Sequence, residues 1–156
     1  MSRKLSDLEV VEMDEAIRAK WFAGEYWFPI VELDVRVTEP VTAVGRDEFE
    51  ELVGASGVRA ALRRMGVDRA FLLVEDPVEP GAVSLELSVS ELEFERDWRQ
   101  RFWTDRRSTW LIYASCEETV TIGGSSLIES LSALFPGFRQ RSSKQDPGDR
   151  PGSEPA

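Results

Sequence analysis

Histidine is absent from the 156-residue chain, and cysteine occurs once, at Cys116. The first absence removes the usual neutral-pH general base, the commonest zinc ligand and every Ser–His or Cys–His nucleophile pair. The second excludes a disulfide within this sequence and agrees with a reducing compartment. Cys116 also stands beside Glu117 and Glu118, carboxylates that raise a thiol pKa and blunt its reactivity. Lysine is scarce: Lys4, Lys20 and Lys144 stand against sixteen arginines, a usage that points to a GC-rich bacterial genome. No apolar run nears the ~20 residues that cross a bilayer. The opening MSRKLSDLEVVEMDE turns acidic where a secretory signal would be apolar. The expectation is a bacterial cytoplasmic protein without a membrane partner.

What the chain does have is negative charge. Its formal net charge is -10, and residues 139–156 hold four basic side chains against three acidic ones, so the excess lies in the body. A field of that sign repels nucleic acid and anionic membranes and speeds encounter with a basic protein. Hydrophobic residues make up 42%, enough for one domain with a real core.

Taken in order, Ser6-Asp7-Leu8-Glu9 has capping-box spacing, and Val10, Met13, Ile17 and Trp21 then fall on one helical face, with Glu12, Asp14, Glu15, Arg18 and Lys20 toward water. Residues 31–37 alternate strictly, with Glu32 and Asp34 on the wet side. A short extended piece at 41–44 precedes helical segments starting near Asp47 and Gly57. Residues 69–75 are mostly apolar and read as a buried strand, and 83–89 alternate with Ser84, Glu86 and Ser88 outward, an alternation that Glu91, Glu93 and Glu95 prolong. Residues 97–107, DWRQRFWTDRR, carry Trp98 and Phe102 four apart and predict a helix. The all-apolar 110–114 predicts a central strand, hairpinned to the β-branched 119–122. A second capping-box spacing at Ser126–Glu129 opens a helix with Leu127, Leu131 and Leu134 inward, stopped by Pro136-Gly137. The sum is an α+β domain over residues 1–138: a mainly antiparallel sheet of about five strands against four or five helical segments, followed by a disordered tail at 139–156.

Carboxylates are plentiful, but no calcium-loop pattern organises them, and consecutive pairs such as Glu50-Glu51 point apart. Gly123-Gly124-Ser125-Ser126 precedes a helix and has a phosphate-holding geometry, yet without the Walker lysine it reads as a turn plus a cap. Two surfaces remain. One is the acidic strand face with Glu32, Asp34 and Glu86. The other surrounds Trp98, Arg99, Phe102, Trp103, Arg106 and Arg107, residue types that dominate protein–protein contacts, or else a helix that buries its rings under arginine stems.

The segment WLIYASCEETVTIGG, residues 110–124, resembles stretches of small bacterial proteins similar to the immunity proteins of polymorphic toxin systems. A histidine can stand in such segments where Cys116 stands here. The resemblance implies a small acidic α+β protein that binds and blocks a partner. The expected function is therefore a non-enzymatic, cofactor-free binding protein that neutralises a basic protein partner through Glu32, Asp34, Glu86, Trp98, Arg99 and Trp103. The alternatives are an accessory subunit of a larger assembly, joined through the Trp98–Trp103 surface, and a metal-using carboxylate enzyme.

Overall fold

A computed structural model describes residues 1–21, 40–74, 83–94, 101–114 and 118–138. In chain order these form β1 (Arg3–Lys4), α1 (Asp7–Trp21), β2 (Val41–Gly45), α2 (Arg46–Leu52), α3 (Gly54–Arg64), β3 (Arg69–Val74), β4 (Leu85–Ser88), β5 (Arg101–Thr104), β6 (Leu111–Ala114), β7 (Thr119–Gly123) and α4 (Ser125–Leu134). The expected strand at 31–37 lies outside the described residues. The architecture is α+β, and the described strands make one seven-stranded sheet, larger than the expected five, in the order β1-β4-β3-β5-β6-β7-β2. Every pairing is antiparallel.

Both faces of this sheet are covered. Ala70, Leu72, Trp103, Ile112, Ala114, Val120 and Ile122 pack against α2, α3 and α4 through Phe49, Val58, Leu62, Leu127 and Leu131. Phe71, Leu73, Phe102, Leu111 and Tyr113 face the other way, against Leu5, Ile17 and Trp21. The period of two therefore splits each strand between two cores, which is why β3, β5 and β6 lack the polar alternation of a half-wet sheet.

The middle strand is β5, not the 110–114 segment, which forms its neighbour β6. The helix expected over 97–107 does not extend through 101–104. There Phe102 and Trp103 are adjacent in sequence and both buried, one in each core, as a strand allows and a single helical face does not. Phe102 stacks on Tyr113 with centroids 4.3 Å apart, while Trp103 meets Phe94 edge-on at 5.2 Å. Pairing with β3 on one side and β6 on the other gives this strand backbone partners at both edges. That tertiary gain outweighs the weak helical spacing of Trp98 and Phe102.

The helices follow their sequence signals unevenly. At α1 the capping box forms: Ser6 N–H donates to Glu9 Oε2 at 2.8 Å, and Glu9 N–H to Ser6 Oγ at 3.2 Å. At α4 it does not. That helix starts two residues earlier, behind Gly124 at φ +103, and no side chain caps it. A Cβ at Gly124 would lie 2.7 Å from the Thr109 carbonyl oxygen, so backbone packing fixes the entry of the helix. Leu134, expected inward, is exposed. At the other end of α1, Trp21 lies over β7, where a Cβ at Gly123 would come within 2.8 Å of the indole ring. Glycine at that position is what lets the helix sit down on the sheet.

Candidate functional site

The side chains expected to carry function divide into three groups. Glu32, Asp34, Trp98 and Arg99, with Glu95 and Cys116, lie outside the described residues. Trp103 is 1% exposed and belongs to the core on the three-helix side; its ring presents no surface to a partner in this fold. Phe102 is likewise buried, on the opposite side. The arginines beyond them are exposed, and the Arg106 guanidinium carbon lies over the Phe71 ring, 5.2 Å from its centroid, a cation–π contact at the margin of the core.

Glu86 is the third case. It stands on the sheet face that α1 covers, directly opposite Arg3 in the β1–β4 ladder. Arg3 donates to Glu86 Oε2 through Nε at 3.0 Å and Nη2 at 2.7 Å, and to the two Glu9 oxygens at 3.0 and 2.9 Å. Arg69 Nε reaches the other Glu86 oxygen at 3.3 Å. Two guanidiniums and two carboxylates thus form a balanced cluster that ties β1, β3 and β4 to the first turn of α1. The hydrogen bonds from Arg3 hold the Glu86 carboxyl below the usual carboxylate range despite partial desolvation, and they hold Glu9 down to about 2. Glu91 and Glu93 are also engaged, with the terminal amine at 3.1 Å and Arg59 at 2.7 Å respectively. The carboxylates expected on a wet strand face are, where described, internal counter-charges.

Other carboxylates that face water sit on helices. Asp7, Glu12 and Glu15 on α1, and Asp47, Glu48 and Glu51 on α2, are exposed. None of them shares an ion pair with another described residue. The sequence pointed to Glu12 and Glu15 as water-facing but to nothing further about that face. Leu8 and Val11, at 67% and 52% exposure, share it. The signal was there in the helical wheel, where Leu8 lies opposite the Val10, Met13, Ile17 and Trp21 set and Val11 lies on the flank beside Leu8.

One hollow of about 520 Å³ opens where α4 begins, walled by Lys20, Met65, Val67, Thr109, Trp110, Ser125, Ser126, Glu129 and Ser130. Its wall includes the two serines of the Gly-Ser turn that the sequence singled out, with one cationic and one anionic side chain. Among the described residues no group of three or more acidic, histidine or cysteine side chains is placed to hold a metal ion. No helix among them is long and apolar enough to cross a membrane. No protein-family model, curated protein or solved structure matches the chain.

Proposed function

We propose that the chain is a non-enzymatic, immunity-like binding protein of the bacterial cytoplasm that neutralises a basic protein partner. The observation that carries this reading is that Asp7, Glu12 and Glu15 on α1 and Asp47, Glu48 and Glu51 on α2 are exposed and share no ion pair with a described residue, on a chain of net charge -10. Carboxylates already engaged with arginine, such as Glu86, add little to an external field; unpaired ones act on whatever approaches. Asp and Glu presented this way stand in for the phosphates that a nuclease-like toxin with a positive cleft would bind.

The test is affinity capture from the native host lysate at low and moderate salt, with mass-spectrometric identification. A single basic partner lost as salt rises is the expected result. With that partner in hand, Asp47→Lys with Glu48→Lys slows association several-fold and flattens its salt dependence. Recovery of the protein alone, or of a large salt-resistant complex, favours an accessory subunit instead.

A further inference from the structure

We infer that the outward face of α1 is a docking strip for a cationic amphipathic helix of the partner, with Leu8 and Val11 as apolar anchors and Glu12 and Glu15 as counter-charges. This rests on the basic-partner reading above and assigns it a surface. At 100° per residue, Val10, Met13, Ile17 and Trp21 centre on one side of the helix, and Ile17 and Trp21 are buried against the sheet. Leu8, Val11, Glu12, Glu15, Ala16 and Ala19 centre on the opposite side, and all six are exposed. The helix is thus apolar on two faces, and the core accounts for only one.

The chemistry of the second face selects its occupant. Two carboxylates stand among apolar neighbours and share no ion pair with a described residue, so a complementary helix offers Lys or Arg interleaved with leucine. Ala16 and Ala19 leave room for the backbones to approach toward the ~8 Å end of helix packing distances. A second copy of this chain would bring Glu12 and Glu15 against their own kind, and an anionic membrane would be repelled. The strip is also held in place before any partner arrives, at one end by Arg3 on Glu9 and at the other by Trp21 over Gly123. That preorganisation lowers the ordering cost of binding.

The probe is a synthetic leucine–lysine amphipathic helix of about 18 residues, long enough to fold alone, titrated into the full chain while backbone amide shifts are recorded. A scrambled peptide of the same composition is the control. Shifts concentrated on α1, with binding weakened roughly tenfold or more by Leu8→Ser with Val11→Ser, are expected. The same variant should retain the wild-type unfolding midpoint, because neither side chain is in the core. Glu12→Lys with Glu15→Lys should weaken binding and reduce its salt dependence. Equal binding of the scrambled peptide, shifts that map elsewhere, or indifference to the Leu8 and Val11 changes overturn the strip and leave the basic-partner reading standing. Self-association that Leu8→Ser abolishes also overturns it, in favour of a second copy. Failure of any basic peptide or protein to bind removes both.

Discussion

The two faces of the sheet are built differently. Among the described residues, three helices cover one, where 21 residues form a continuous buried cluster, and a single helix covers the other, where the cluster has eight. The larger side is sealed mainly by buried apolar area. The smaller one relies on fixing α1 at its ends, by a charge cluster at the N-terminus and an indole on a sheet glycine at the C-terminus. A helix held at its ends has a whole flank left over for other uses, and the strip of Leu8, Val11, Glu12 and Glu15 lies on that flank.

Substitution can test the contrast. The largest effect is expected from β5, whose neighbouring rings report on opposite faces: Trp103→Ala should cost about 3–5 kcal/mol in a urea titration. Phe102→Ala should cost less, since its side of the sheet is more thinly covered; equal losses would mean that the two layers are equally dense. Next is Gly123→Ala, whose Cβ would press on Trp21 at 2.8 Å and should destabilise by about 1–3 kcal/mol. Combined with Trp21→Leu the total should fall short of the sum of the two single losses, and simple additivity would deny that the contact seats α1.

The smallest effect concerns the charge cluster. Glu9, held down to about 2 from an ordinary 4.5, contributes stability that is fully present above about pH 4.5 and is lost as pH falls toward 2. Glu86 is lowered in the same direction, first by the hydrogen bond from Arg3, so its contribution is likewise lost on acidification. Amide-exchange protection of α1 should decline across that window in the wild-type chain. Glu9→Gln should lower protection already at neutral pH and flatten the decline. A pH response unchanged by the substitution would remove the cluster from the account of how α1 is fixed.

What could be read from the sequence depended on the range of the forces involved. The Ser6–Glu9 cap was legible because its donors and acceptors lie within one turn. The antiparallel arrangement of β3 with β4 and of β6 with β7 was legible because the patterns are clean and the connections short. The four residues of β5 were not: Arg-Phe-Trp-Thr is too short to declare a period, and its strand state depends on β3 and β6 flanking it. The cap expected at Ser126 failed for a similar reason, since the approach of Gly124 to the Thr109 carbonyl is a tertiary fact. For the site, residue type was visible and engagement was not. Nothing near Glu86 in sequence announces that Arg3 sits opposite it, and Trp103 in a charged stretch read equally as a contact surface or as a buried ring until its strand was placed in the middle of the sheet.

The order of the strands has a consequence for how the molecule comes to exist. Both ends of the sheet are closed by pairings that reach across the chain: Arg3 of β1 bonds Glu86 at a separation of 83 residues, and β2 at Val41–Gly45 pairs with β7 at Thr119–Gly123. The strands between them are joined through much shorter connections. During synthesis, α1 and β2 emerge first, yet neither has its place until β7 has been made. Long-range closure of this kind slows folding, and for much of its synthesis the chain carries α1 without the sheet that will hold it.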